Sequence, residues 1–144
     1  MREKEGFSIS FAKVIRIIAT VLAVAFIVVV VFFVFRTRVK ADQAFRDAKN
    51  IYLALSTAEI EFYSQGLSVY DPANYSGLSE GVEERVKELV DNEGTYRIVS
   101  YDMKNHRVTG MIYNNGNYYV TFSRENDEIE WEVKYLMPIY TYKD

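Results

Sequence analysis

The sequence predicts an α+β fold in which a long amino-terminal transmembrane-to-amphipathic helix packs on a four-stranded antiparallel β-meander. Residues 17–35 contain no charge, no Gly and no Pro, so they form an unbroken apolar run. Apolar residues then recur at three- and four-residue steps up to Gly66, which is the period of an amphipathic helix. From Thr95 onward the apolar period changes to two, which is the period of strands. A sheet with one apolar face needs a cover, and the amphipathic half of the helix can supply it.

The apolar run predicts a single-pass membrane protein whose first partner is the lipid bilayer. The run begins at Ile17, ends at Phe35 and is flanked by Arg16 and Arg36. As a helix it is roughly 28 Å long, close to the thickness of a bilayer core. It is longer than the apolar region of a signal peptide and no small-residue cleavage pattern follows it, so we expect it to be retained.

Within this membrane helix, Ala19 and Ala23 are four residues apart. Small residues at this spacing let two membrane helices approach closely, which makes this pair a candidate helix-association site.

We divide the chain into four segments on these patterns. Residues 1–16 are a short charged leader, 17–35 the transmembrane helix, 36–66 its amphipathic continuation, and 67–144 a loop, a short helix and the sheet, forming one domain with 36–66. The periodicity is equally compatible with two helices joined near Thr37. Ser79 is the expected N-cap of the short helix, and Asn115-Gly116 predicts a type I′ hairpin turn.

Composition excludes several classes of function. Residues 36–144 carry thirteen Lys and Arg against eighteen Asp and Glu, and this acidic balance argues against a nucleic-acid partner. The chain has no Cys and only one His, His106, in a polar connection. Carboxylate pairs such as Glu59 and Glu61 are expected on solvated faces. We therefore expect no enzymatic activity, no catalytic residue, no cofactor, no metal site and no small-molecule substrate.

The strand pattern predicts which residues face the helix. We expect Ile98 to alternate with Val99, and Val108, Gly110 and Ile112 to share one face. In the last strand Ile129, Trp131, Val133 and Tyr135 are expected to face inward. The sequence is rich in tyrosine, and we expect most of these rings to pack in the core or at its edge; the alternative is an exposed interaction surface, for which four are candidates: Tyr113, Tyr119, Tyr140 and Tyr142.

Three stretches give the chain a family resemblance. They are Glu5-Gly6-Phe7-Ser8-Ile9, the Ala-rich helix from Ala41 to Gly66, and the strand region from Gly94 to Val120. Together with the order of elements, they resemble the type IV pilin and pseudopilin family. The resemblance implies leader processing at Gly6, with Phe7 as the first residue of the mature chain. The chain departs from the family pattern in having Phe11 where a Glu is usual, Lys13 and Arg16 near the start of the apolar segment, and no Pro in its middle.

The resemblance also implies a function and a location. We expect a non-enzymatic, membrane-anchored subunit of a pilus-like or pseudopilus-like assembly in a bacterial cell envelope, with copies of itself or related pilin-like subunits as partners. The alternative is a bitopic membrane protein whose extracytoplasmic α+β domain binds a partner protein or an envelope component. Basic residues are nearly balanced on the two sides of the apolar run, so the expected extracytoplasmic position of the carboxyl-terminal domain rests on the resemblance.

Overall fold

The computed structural model describes residues 11–91 and 93–136 and has the predicted α+β architecture. The elements are α1 (Phe11–Ser64), α2 (Val82–Leu89), β1 (Thr95–Asp102), β2 (Arg107–Asn115), β3 (Tyr118–Glu125) and β4 (Glu128–Tyr135). The four strands form one antiparallel sheet in the order β1-β2-β3-β4, which is a meander. The chain divides into two compact units between Val39 and Lys40.

The first unit contains the amino-terminal part of α1. This part is long and apolar enough to cross a membrane, and none of the spanning stretch is buried within the structure. Its polar residue Thr20 donates its hydroxyl to the Arg16 carbonyl oxygen at 2.9 Å, so this hydroxyl is satisfied inside the helix. A helix whose polar groups are satisfied internally and whose surface is apolar suits a lipid environment.

In the second unit, the rest of α1 packs on the sheet. Its buried residues recur at helical spacing and form one stripe: Ala44, Ala48, Ile51, Leu55 and Ala58. The buried residues of the sheet come from β1, β2 and β3: Ile98, Val108, Met111, Tyr113, Tyr118, Val120 and Phe122. The three alanines have short side chains, which leave room between the helix and the sheet for the larger rings.

The predicted side-chain alternation is wrong in the middle of β1 and β2. The β1–β2 pairing is irregular around Ser100, which pairs with Gly110 while Val99 and Thr109 are left without partners, so that Tyr101, opposite Val108, packs against the core. In β2, Met111 and Tyr113 are buried, while Ile112 lies on the other face. An extra residue in one strand of a pair changes which side chains face inward, and nothing in the local alternation reveals it.

The β2–β3 hairpin turn differs from the prediction by one residue. Asn115 and Tyr118 are paired, so the central residues of the β2–β3 turn are Gly116 and Asn117. Only Gly116 has a positive φ, of 62°, whereas a type I′ turn needs two such residues. The β3–β4 turn does have two, at Asn126 (φ 48°) and Asp127 (φ 69°).

β4 is held to α1 mainly through Trp131. Its ring packs edge-on against Phe45 at 5.6 Å and Tyr52 at 5.9 Å between ring centroids. The other inward residues of β4 lie on the predicted face but are only partly covered, with Ile129 half exposed and Val133 a third exposed. The cover supplied by α1 therefore ends at this strand.

The short helix α2 is attached to α1 by an ion pair. The Arg85 guanidinium donates to both carboxylate oxygens of Glu61, at 2.6 and 2.7 Å. The N-cap of α2 is Gly81, with a φ of 83°, and not the predicted Ser79. Val82 and Val86 are buried beneath α2, which fixes its apolar side.

Candidate functional site

Three parts of the chain have features that bear on function: the apolar segment of α1, a buried carboxyl group on α1, and the outer face of the sheet. The predicted membrane-segment residues Ile17, Ala19, Ala23 and Phe35 all lie in α1 and are exposed. Ala19 and Ala23 are one turn apart and therefore lie on the same side of the helix. The predicted processing residues Gly6 and Phe7 lie outside the described residues.

Glu59 is the buried charged residue of the second unit, contrary to the expectation of a solvated pair with Glu61. Only 9% of its surface is exposed. Its carboxyl group accepts hydrogen bonds from the Tyr101 hydroxyl and the Val108 backbone N–H. Oxygen Oε1 has no hydrogen-bond partner among the described residues. The carboxyl is therefore enclosed by β1 and β2, and the sequence of α1 alone does not reveal this burial.

Burial controls the ionisation of this group. Desolvation raises the pKa of Glu59 from 4.5 to about 7, while the two hydrogen bonds and the charge of Arg124 act in the opposite direction. Arg124 also donates a hydrogen bond to the Tyr52 hydroxyl at 2.8 Å, which holds the guanidinium near the helix. A carboxyl group with this pKa changes its charge close to neutral pH.

The groups that the structure places around Glu59 are two hydrogen-bond donors and the positive charge of Arg124. In the part of the chain that the structure describes, no group of three or more His, Asp or Glu residues could hold a metal ion. His106 lies exposed in the β1–β2 turn, where its ring packs on Tyr63 at 4.5 Å. The contacts of Glu59 and His106 are thus those of packing and hydrogen bonding.

The loop between α1 and α2 is fixed along the edge of β1. The Ile98 N–H donates to the Ser76 carbonyl oxygen at 2.8 Å, and Asn74 Nδ2 donates to the Leu78 carbonyl oxygen at 2.7 Å. Gly77 has a φ of 69°, and a Cβ at this position would lie 2.5 Å from the Ile98 carbonyl oxygen. Only glycine allows the loop and the strand to approach this closely.

This loop forms one wall of an open groove on the outer face of the sheet. The groove has a volume of about 390 Å³, and its lining includes Tyr75, Arg97, Ile112, Asn114 and Tyr119. Tyr75 is 89% exposed, and the Arg97 guanidinium lies 5.5 Å from the centre of its ring. Tyr75 and Arg97 are not among the residues predicted for a site, although an aromatic residue within a run of turn-forming residues is a signal visible in the sequence.

The candidate tyrosines differ in where the structure places them. Tyr113 is fully buried, so its assignment to an exposed surface is wrong, and burial raises its pKa to about 12. Tyr119 is partly exposed and lines the groove, whereas Tyr140 and Tyr142 lie outside the described residues. An exposed tyrosine surface therefore exists, but it is built around Tyr75 and Tyr119.

The fold and these surfaces define an α+β domain joined to a helix of membrane-spanning length and composition. No family model, curated protein or solved structure matches the chain.

Proposed function

We propose that the chain is a membrane-anchored, non-enzymatic subunit of a pilus-like or pseudopilus-like assembly, with its carboxyl-terminal domain on the extracytoplasmic side. One observation carries the proposal: the same helix, α1, contains an exposed apolar segment of membrane length and also supplies the stripe that packs beneath the sheet. The pilin resemblance implies the same two roles for one helix, membrane anchoring in its first half and packing beneath the sheet in its second. Assembly would proceed by lateral packing of the apolar helices.

The small-residue pair on α1 gives this proposal a specific contact to test. In lipid, helices associate through close backbone approach, because burial of apolar surface no longer provides a driving force. Ala19 and Ala23 would lie at such a contact. Val21, two residues from each, projects from the opposite side of the helix.

Disulfide crosslinking in membranes tests the contact. The chain has no Cys, so Ala19→Cys and Ala23→Cys each introduce a single thiol into a clean background. We expect both variants to give covalent dimers under mild oxidation, and the control Val21→Cys to give far fewer. Equal crosslinking at all three positions would indicate random collision, and its absence at all three would contradict self-assembly through this helix.

The mass of the purified full-length protein tests the pilin-like route separately. Removal of residues 1–6 with a methyl group on Phe7 would support it. An intact leader would favour the alternative, a bitopic protein whose domain binds a partner protein or envelope component.

Labelling Lys104→Cys with a membrane-impermeant maleimide in intact cells tests orientation, and we expect the exposed 104 position to react.

A further inference from the structure

The outer face of the sheet presents two rows of side chains beside the loop. Strand pairing places Thr95, Asn114, Tyr119 and Lys134 in one row across the sheet. The next row on the same face contains Arg97, Ile112, Thr121 and Glu132. Ile112 thus provides an apolar patch with polar groups on both sides. The groove described above lies over the part of these rows that β1, β2 and Tyr119 supply, and Tyr75 forms one of its walls.

Among the described residues, the Arg97 guanidinium has no ion-pair partner and Oδ1 of Asn114 has no hydrogen-bond partner in this groove. Among the described residues, Arg97 forms no ion pair with a carboxylate, and its guanidinium rests on the Tyr75 ring instead. Oδ1 of Asn114 is covered from solvent and has no hydrogen-bond partner in the same part of the chain. An unpaired covered oxygen is unfavourable, so rotation of the amide toward a ligand donor would be compensated by a new hydrogen bond.

The wall of the groove is already in place without a ligand. Tyr75 lies on a loop that is hydrogen-bonded to β1 through Ser76. A second hydrogen bond, from Asn74, closes the loop internally. Because the loop is fixed, the Tyr75 backbone loses little conformational freedom on binding. The contacts of its ring then contribute more of their energy to the affinity. Tyr119, on β3, supplies a second ring on a rigid strand.

We propose that this groove binds a saccharide that carries an acidic group. The electron-rich faces of Tyr75 and Tyr119 suit the C–H face of a sugar ring. A carboxylate on the sugar would pair with the fork of donors on Arg97. Hydroxyl groups both donate and accept, so they can pair with the Asn114 amide and the Thr95 hydroxyl, which both line the groove. The proposal does not depend on whether the chain assembles into a filament.

A saccharide fits the groove better than an extended peptide does. A peptide gains affinity from a sheet mainly by pairing its backbone with a free strand edge. Here the groove lies over the face of β1, β2 and β3, and the Ile98 N–H at the edge of β1 already donates to Ser76. Recognition in this groove therefore depends on side chains and ring faces.

Calorimetric titration of the full-length protein in an uncharged polyoxyethylene ether detergent tests the proposal. A maltoside detergent is avoided because its headgroup is itself a sugar. The probes are trigalacturonate, the neutral trisaccharide maltotriose and the acidic peptide triglutamate. We expect trigalacturonate to bind, and maltotriose and triglutamate to bind at least about tenfold more weakly, since each lacks one of the two features recognised.

Matched variants identify the residues responsible. Arg97→Gln should weaken trigalacturonate binding about tenfold, the effect of losing one charge-assisted contact. Tyr75→Ser should also weaken it, and this side chain is so exposed that its removal leaves the fold intact. Lys104→Gln removes the same charge from the β1–β2 turn, and Tyr63→Ser removes an exposed ring from α1, so neither should alter binding.

Three results would overturn the proposal. The first is the absence of trigalacturonate binding to the unmodified protein. The second is equal weakening by Lys104→Gln and Arg97→Gln, which would reduce the interaction to overall charge. The third is binding of triglutamate or maltotriose as tight as that of trigalacturonate, which would assign the groove to an acidic peptide or to neutral sugars.

Discussion

At the residue scale, Glu59 is the position where a local interpretation of the sequence is least reliable. In the sequence, Glu59 lies beside the apolar stripe of an amphipathic helix, and charged residues at such positions are normally solvated. The structure encloses it between Tyr101, Val108 and Arg124, which belong to three different strands. Burial of this kind depends on which strands cross the helix, and that information is not local.

The raised pKa of Glu59 predicts that protonation of this one group stabilises the domain. Because the folded protein holds this proton up to about pH 7 whereas the unfolded chain releases it near pH 4.5, the folded state binds more protons between these values. The contribution is complete below pH 4.5 and is lost as the pH rises to about 7. With allowance for partial solvation, the loss is about 2 kcal/mol. Urea unfolding in detergent, followed by fluorescence of Trp131, measures it.

Glu59→Gln should remove this pH dependence. We expect the variant to unfold at higher urea concentration than the unmodified protein at pH 8, and at a similar concentration at pH 4.5. Glu61→Gln is the matched control, since Arg85 lowers the pKa of Glu61 and its charge is favourable in the folded state. That variant should lose stability at pH 8. Destabilisation of both variants at pH 8 would contradict the role assigned to Glu59.

At the scale of elements, the sequence predicts α1 and the four strands well because each has a strong and continuous apolar period. The core stripe of α1, from Ala44 to Ala58, follows directly from that period. The inward positions of β1 and β2 do not, because the irregular pairing at Ser100 shifts the inward positions by one residue within each strand. The same shift moves Tyr113 into the core and leaves Ile112 on the outer face. The groove could not be predicted for this reason, since one of its residues, Ile112, was expected to share a face with Val108, which is buried.

The packing of α1 on the sheet predicts different costs for two neighbouring residues. Ile51 is fully buried, so Ile51→Ala should destabilise the domain by about 2–5 kcal/mol through lost burial and a cavity. Leu53 lies on the same helix but is half exposed, and Leu53→Ala should cost less than about 1 kcal/mol. Urea unfolding of both variants provides the measurement. Similar costs would mean that α1 does not pack on the sheet through this stripe.

The attachment of the loop to β1 predicts a second contrast. Gly66 and Gly77 both have positive φ, at 75° and 69°, so replacement by Ala strains the backbone at either position, by about 1 kcal/mol. A Cβ at Gly66 meets nothing within 4 Å, whereas one at Gly77 would strike the Ile98 carbonyl. We therefore expect Gly77→Ala to lower the unfolding free energy well beyond Gly66→Ala. Equal losses would show that the loop is not held against the strand.

At the scale of the whole molecule, α1 predicts stable integration into a membrane. Val28 lies in the middle of the apolar run, and an Arg at the centre of a membrane helix costs about 2.5–3.5 kcal/mol on insertion. We expect the unmodified protein to remain with membranes during alkaline carbonate extraction and Val28→Arg to be released in part. Val28→Leu should behave as the unmodified protein does. Complete release of the unmodified protein would contradict a membrane-anchored function.

The bond between Ser76 and Ile98 also affects how the chain behaves at high concentration. An exposed strand edge recruits strands from other molecules and is a common origin of aggregation. Here the loop occupies the middle of the β1 edge, so a foreign strand cannot add there without first displacing it. Loosening of this loop would thus expose a surface for misassembly, and Gly77 would protect the solubility of the domain as well as its shape.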